Sequence, residues 1–209
     1  SNASSTSDAV PMTDLAPEAL ERAAGAVAAG DLVVYPTETV YGLGADALDP
    51  DAVERVFEAK GRDRAKPVSM AVPDLDAAQE HARLTERELA FAREFLPGPV
   101  TLVVERGADV PDVLTAGRDR VGLRIPDHDG ALALLELTGP LTATSANVSG
   151  TGSVRRPDAL DRSIHEAVAV VLDGGETPGG GSTVVDVDRG EIHRRGRGAD
   201  AVEAWLGRQ

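Results

Sequence analysis

A short cationic segment carries residue types that bind phosphate or carboxylate groups. The chain contains 19 Arg but only two Lys, and both lysines, Lys60 and Lys66, flank Arg62 in the segment KGRDRAK at 60–66. Guanidinium and ammonium groups close together hold a polyanion through charge-assisted hydrogen bonds. A solvated charge run is the alternative, but placing both lysines here in a chain of formal net charge -14 favours anion binding.

A second candidate segment, YPTETVYGLG at 35–44, contains both tyrosines of the chain. Its threonines, Thr37 and Thr39, carry hydroxyl groups that can donate hydrogen bonds to a carboxylate. Gly42 and Gly44 would allow a ligand to approach the main chain. An ordinary strand turn uses the same residue types, so this segment alone leaves both interpretations open.

Short polar side chains crowd a third segment, TSANVSG at 144–150, which follows an apolar predicted strand. Ser145 and Asn147 offer a hydroxyl and an amide to a ligand. Helix caps use the same residues, so the segment alone is equally compatible with a capping turn.

Composition and missing motifs exclude several function classes. With 35 Asp+Glu against 21 Lys+Arg, most of the surface would repel nucleic acid, so an anionic substrate needs a local basic pocket. The chain has no Cys for a disulfide, a thiol nucleophile or a Cys-based metal site. P-loop, dinucleotide-binding and serine-hydrolase motifs are absent, and the four His lack metal-ligand spacing, so we predict no protein-held metal. The lack of a long apolar span or a signal sequence predicts a cytoplasmic protein without membrane attachment.

Predicted helices and strands alternate along the chain, which favours an α/β fold with functional groups on loops at strand ends. The apolar spacing and capping residues predict helices at 17–29, 50–60, 75–82, 85–95, 130–137 and 199–206. Strands are predicted at 31–35, 39–47, 67–72, 100–105, 121–125, 141–144, 168–172, 183–187 and 191–194. Residues 1–12 are interpreted as an expression-tag remnant followed by a disordered tail, and residues 13–209 as a single domain.

Five ordered motifs together resemble the YrdC family of threonylcarbamoyl-AMP synthases, over about residues 15–195. They are YPTETVYGLG at 35–44, KGR at 60–62 followed by Lys66-Pro67, PGPVT at 97–101, VGLRIPDH at 121–128 and SANVSG at 145–150. The resemblance implies a YrdC-like twisted mixed sheet with flanking helices and a basic cavity.

The resemblance also implies roles for individual residues. Those with catalytic roles are Lys60, Arg62, Ser145 and Asn147. Threonine and its carbamate would be bound by Thr37 or Thr39, with Arg124 and Ser182. ATP would be bound by Arg62, Lys66, Ser145, Ser153 and Arg194.

The implied reaction makes threonylcarbamoyl-AMP from L-threonine, bicarbonate and ATP, with release of pyrophosphate, for the threonylcarbamoyladenosine modification of tRNA. Threonine carbamate and ATP are both anionic, so cations must offset their repulsion, and Mg²⁺ would be carried on the nucleotide. A downstream transferase would use the product, and direct contact with tRNA stays open. Two residues depart from the family's pattern in ways that affect the expected substrate contacts. Ala71 stands where longer relatives often have His, and Arg120 stands where relatives commonly have Thr.

Two alternatives accompany this interpretation. The first is a YciO-like paralogue that binds RNA or a nucleotide without making the adenylate. The second is an enzyme similar to dihydroxybutanone-phosphate synthase, which requires acidic metal ligands. Glu38 is the only acidic residue in the motif core, which disfavours the second alternative.

Overall fold

The computed structural model describes residues 14–208, so the tail predicted at 1–12 lies outside the described residues. The α-helices of this part of the chain are α1 (Pro17–Ala28), α2 (Pro50–Lys60), α3 (Leu75–His81), α4 (Glu86–Phe95), α5 (Asp112–Thr115), α6 (Asp129–Thr138), α7 (Arg162–Ala167) and α8 (Ala199–Gly207). The strands are β1 (Val33–Tyr35), β2 (Gly42–Gly44), β3 (Ser69–Ala71), β4 (Ala82–Arg83), β5 (Val100–Arg106), β6 (Arg120–Arg124), β7 (Leu141–Ala143), β8 (Val170–Val171), β9 (Thr183–Asp186) and β10 (Glu191–Arg194). A single 3₁₀ turn covers Pro157–Ala159 within the same range.

Two sheets carry these strands. The larger sheet has the order β10-β9-β5-β6-β3-β7, with β4 paired to β5 beside that path. Its parallel pairs, β5 with β9 and β3 with β6, are mixed with antiparallel pairs. The smaller sheet has the order β2-β1-β8, and a bridge between Gly42 and Ser145 brings β2 beside the end of β7. The predicted α/β architecture with a mixed sheet and flanking helices is confirmed.

Helix α2 shows how local sequence determines its ends. The Asp49 carboxylate accepts hydrogen bonds from the main-chain N–H groups of the first turn, and Pro50 occupies the first helical position, where no N–H partner is needed. Gly61 follows the helix with φ of 59°, the left-handed conformation that favours glycine. The predicted helix at 50–60 is confirmed, and Lys60 is its last residue.

Successive side chains of the central strands point to opposite faces of the larger sheet, one in the core and the other toward a cavity. Val121 and Leu123 of β6 are buried in the cluster that contains Phe91 of α4 and Trp205 of α8, whose rings meet edge to face with centroids 5.1 Å apart. The alternate residues lie on the opposite face: Thr101 and Val103 in β5, Arg120, Gly122 and Arg124 in β6, Val184 and Asp186 in β9, and Ser182 just before β9. Residues of the functional motifs therefore share this second face.

The predicted strand at 39–47 is mostly wrong, because only Gly42–Gly44 forms β2. The preceding residues turn instead: the Thr37 hydroxyl accepts from the main-chain N–H of Thr39 and donates to the carbonyl of Val40 at 2.6 Å. Side-chain bonds of this kind compete with strand pairing. The sequence also missed α5, α7 and β4, which are too short to show a clear period.

Candidate functional site

A cavity of about 820 Å³ opens over the polar face of the larger sheet. Residues of the segment 35–42 and of the end of β7 also line this cavity, and the Gly42–Ser145 bridge joins the two segments. The predicted site residues that line it are Thr37, Thr39, Arg62, Arg124, Ser145, Ser153, Ser182 and Arg194. Segments far apart in the sequence thus contribute to one cavity large enough for a nucleotide and a small second ligand.

Arg124 dominates one part of the cavity wall. Its Nη2 donates to a carboxylate oxygen of Glu38 and to the Thr39 hydroxyl at 3.2 Å, while its buried Nε has no hydrogen-bond partner among residues 14–208. Thr37 and Thr39 lie with their hydroxyl oxygens 3.0 Å apart. Because Thr37 donates to Val40, Thr39 is the donor of this pair, and both hydroxyl protons are committed within the protein. In this arrangement Thr39 orients Arg124, and neither threonine offers a proton to a carboxylate.

Three guanidinium groups follow one another along the cavity. Burial, and then repulsion from Arg194, lowers the pKa of Arg62. Burial, and then repulsion from Arg124, lowers the pKa of Arg194. Nη2 and Nε of Arg194 donate to the main-chain oxygen of Ser182 at 2.9 and 3.1 Å, and Arg62 donates only to main-chain oxygens, so neither group has an acidic partner among the described residues. Uncompensated positive charge of this kind attracts an anion.

Lys60 occupies a different position from the one that the sequence indicates. A lysine beside a cationic loop is expected at the surface, but the Lys60 side chain is 1% exposed and does not line the cavity. Its ammonium donates to the main-chain oxygens of Ser145 and Asn147, the latter at 2.8 Å, and is 3.4 Å from the Asn147 amide oxygen. All three N–H groups are therefore used by the Ser145–Asn147 turn, and the expected surface location is wrong.

Asn147 and Lys66 also lie outside the cavity wall. The Asn147 side chain closes its own turn: its oxygen accepts from the Ser145 hydroxyl, and its nitrogen donates to the carbonyls of Val148 and Thr151 at 3.1 and 2.9 Å. Lys66 is exposed, and only its main-chain oxygen, 3.2 Å from Nε of Arg62, contacts a site residue. A catalytic role for Asn147 and an ATP contact by Lys66 stay predictions.

The glycines of the motif at 35–44 make room for a tyrosine. A Cβ on Gly42 or Gly44 would lie 2.9 Å from the Tyr35 ring, which is a steric overlap. Tyr35 is buried, which raises its pKa to about 12, and its hydroxyl donates to the Thr142 carbonyl at 3.0 Å. The expectation that both glycines allow a ligand to approach is therefore wrong for Gly44, which does not line the cavity. Gly42 lines the cavity and also makes room for the Tyr35 ring.

Arg120 enters the other end of the cavity with its charge already compensated. Its Nη2 lies 3.1 Å from Asp186 and 3.6 Å from Glu88, and donates to the Val103 carbonyl at 2.9 Å. Glu88 is 1% exposed, and burial raises its pKa. The structure gives Arg120 a role in neutralising buried carboxylates, while its effect on substrate contacts stays a prediction.

Several cavity residues were not singled out from the sequence. They are Thr101, Arg118, Arg189 and His193. Thr101 is the most informative, because its hydroxyl lies 2.9 Å from that of Ser182 and ties the neighbouring strand to the site. The period-two pattern of β5 could have identified it, since Leu102 and Val104 on either side of Val103 belong to the core.

Within residues 14–208, His, Asp and Glu side chains form no group of three or more that could hold a metal ion. Among the helices of the same residues, none has the length and apolar character needed to cross a membrane.

The chain is similar to proteins of known family. Residues 25–196 match the family model Sua5_yciO_yrdC, described as telomere recombination. A Pyrococcus abyssi protein named threonylcarbamoyl-AMP synthase is 43% identical over 168 residues, which cover 79% of this chain and 49% of that relative.

Two solved structures are similar in fold. The crystal structure of P. abyssi Sua5 complexed with L-threonine superposes with a TM-score of 0.78 at 40% identity, covering 85% of this chain and 54% of that chain. E. coli YciO has a TM-score of 0.78 at 25% identity, covering 85% and 89%. The chain spans about half the length of the P. abyssi relatives that it matches. The family expected from the five motifs is thereby confirmed: this chain belongs to the Sua5/YciO/YrdC family.

Proposed function

We propose that this chain makes threonylcarbamoyl-AMP from L-threonine, bicarbonate and ATP, and releases pyrophosphate. The observation that carries the proposal is the row of guanidinium groups formed by Arg62, Arg194 and Arg124, in a cavity that also presents hydroxyl groups. Two anions brought together for reaction need this kind of compensation. The L-threonine in the similar P. abyssi structure supports an amino acid as one of them.

The threonine substrate would bind at Arg124. Its Nη1 makes no hydrogen bond to residues 14–208 and can donate to a carboxylate oxygen, and a charge-assisted bond of this type is stronger than one between neutral groups. Thr37, Thr39 and Ser182 would complete this part of the cavity. The hydroxyl protons of Thr37 and Thr39 are both used in hydrogen bonds within the protein. Thr39 would therefore act on the substrate mainly by orienting Arg124.

ATP would bind along Arg62 and Arg194, with the hydroxyl groups of Ser145 and Ser153 on the same cavity wall. Lys66 is exposed close to Arg62 and would meet the phosphates only at the edge of the cavity. Mg²⁺ bound to the phosphates would supply further charge neutralisation. Two acidic residues, Asp119 and Asp186, line the cavity, and Asp186 is paired with Arg120. Because residues 14–208 contain no group of three or more His, Asp or Glu side chains that could hold a metal ion, the donor set suits a metal that arrives with the nucleotide.

Catalysis in this proposal is mainly positioning and charge neutralisation. The threonine amine combines with bicarbonate and loses water to give a carbamate. A carbamate oxygen then attacks the α-phosphorus, and the bond to pyrophosphate breaks. Arg62 and Arg194 offset the charge that develops on the phosphates, and Lys60 holds the turn that presents Ser145.

The adenylate product is a reactive mixed anhydride, so a transferase that passes the threonylcarbamoyl group to a tRNA adenosine must follow. The cytoplasmic location expected from the sequence stays a prediction.

The test is pyrophosphate release measured with all substrates and with each one omitted. We expect release only when ATP, Mg²⁺, threonine and bicarbonate are present together. Arg62→Ala is expected to lose most of its turnover, since a charged hydrogen bond contributes about 1.5–3 kcal/mol, equivalent to roughly 10- to 150-fold. Arg64→Ala is the matched control, because Arg64 lies two residues away, pairs with Glu54 at 2.7 Å and is outside the cavity wall.

Threonine-dependent release that continues in CO₂-free buffer would instead indicate simple aminoacyl-adenylate formation. The YciO-like alternative predicts ATP binding without threonine-dependent release. The identity of 40% to the threonine-bound structure, against 25% to YciO, favours the synthase.

A further inference from the structure

Glu38 uses both of its carboxylate oxygens on the end of β6. Oε1 accepts from Nη2 of Arg124, and Oε2 accepts from the main-chain N–H of Asp127. The Glu38 and Arg124 side chains are only 16% and 11% exposed. The main-chain oxygen of Glu38 is also fixed, because it accepts from Nη1 of Arg197 at 3.0 Å. Both the side chain and the main chain of Glu38 are therefore held in place by hydrogen bonds.

Arg124 connects Glu38 to the cavity. Arg124 lines the cavity, whereas Glu38 does not. All of the hydrogen bonds that the Arg124 side chain makes to residues 14–208 come from Nη2, which contacts Glu38 and Thr39. Nη1 is left for an oxygen atom of a ligand, whereas Nε is buried and cannot be reached from the cavity. The Glu38 carboxylate thus fixes the guanidinium through Nη2 and leaves Nη1 available.

We infer that Glu38 is a positioning residue that holds Arg124 in the orientation needed to bind the carboxylate of threonine. The inference rests on the proposed function. Without this partner the Arg124 side chain would populate several rotamers. Binding of the substrate would then have to order it, at a cost in conformational entropy. Glu38 removes that cost in advance, so its effect should be specific to threonine and should not extend to ATP.

The test measures binding rather than turnover. Isothermal titration with L-threonine, and separately with Mg²⁺-ATP, is carried out on the wild type, Glu38→Ala and Glu38→Gln, and thermal melting is recorded for each. We expect Glu38→Ala to weaken threonine binding by about tenfold or more while ATP binding stays within about twofold. Glu38→Gln should lie between, because its amide oxygen still accepts from one partner but carries no charge. Glu136→Gln, at an exposed residue of α6, is the control and should match the wild type.

Unchanged threonine affinity in both Glu38 variants would overturn the inference. So would an equal loss of threonine and ATP binding together with a lower melting temperature, since that pattern means that Glu38 only ties two loops together. If Glu38→Ala does not fold, Glu38→Gln decides by the same criteria. A wild-type protein that binds no threonine would refute the proposed function itself, which the variants alone cannot do.

Discussion

Replacing Lys60 with methionine removes a buried ammonium but keeps a flexible side chain of similar length. The ammonium is the donor for the main-chain oxygens of Ser145 and Asn147, so the turn that carries Ser145 into the cavity loses its anchor. We expect turnover to fall by about tenfold or more, because a small displacement of a positioned group is costly for catalysis. The direct readout is pyrophosphate release at saturating substrates.

The expected effect of Lys60→Met on stability is the difference between two opposing contributions. Burial, and then repulsion from Arg62, lowers the pKa of Lys60 from 10.5 to about 8, which corresponds to roughly 3 kcal/mol of destabilisation at neutral pH. Methionine recovers that amount but leaves two buried carbonyl oxygens without a donor, at about 1–3 kcal/mol each. The two contributions nearly offset, so we expect the free energy of unfolding to change by no more than about 3 kcal/mol.

The pH dependence separates the wild type from this variant. Between about pH 8 and pH 10.5 the unfolded chain retains a proton on Lys60 that the folded protein has released, so Lys60 makes the free energy of unfolding rise with pH across that window. Turnover should fall over the same window, because a neutral amine has one N–H donor fewer. Urea unfolding and pyrophosphate release from pH 7 to 10.5 measure both trends. Lys60→Met should lack them, while Lys66→Met, at an exposed lysine, should keep the stability trend.

Wild-type turnover in Lys60→Met would refute this reasoning, because it would mean that the Ser145–Asn147 turn needs no buried donor. An identical pH dependence of stability in the wild type and Lys60→Met would show that Lys60 does not titrate in this window.

Gly42→Ala should destabilise the protein by about 1–3 kcal/mol in urea unfolding, because its Cβ would lie 2.9 Å from the Tyr35 ring; Gly25→Ala, with nothing within 4 Å of its Cβ, is the control and should be neutral or slightly stabilising. A Gly42→Ala protein as stable as the wild type would contradict the steric role of this glycine. Arg120→Ala should lower the free energy of unfolding by about 3–5 kcal/mol, because it leaves the buried carboxylate of Asp186 without its closest cation. A loss below about 1 kcal/mol in the same measurement would mean that Arg120 is free to serve the substrate instead.

Local interactions are readable in the amino-acid sequence, and the elements that depend on them were predicted well. Asp49, Pro50 and Gly61 determine where α2 begins and ends through hydrogen bonds and dihedral angles within a few residues. The alternation of β6 depends only on the side-chain period of a strand. The five motifs identified the family because residue types and their order are themselves properties of the sequence.

Contacts between distant segments depend on packing, and no local pattern of residues indicates them. Lys60 belongs to a segment that looks like a surface charge run, yet the turn 85 residues later supplies the oxygen atoms that make its burial tolerable. Arg124 and Glu38 are 86 residues apart and meet only because the end of β6 lies against the turn before β2. A residue type specifies which bonds a side chain can make, whereas the fold determines which partners reach it and whether water is excluded around them.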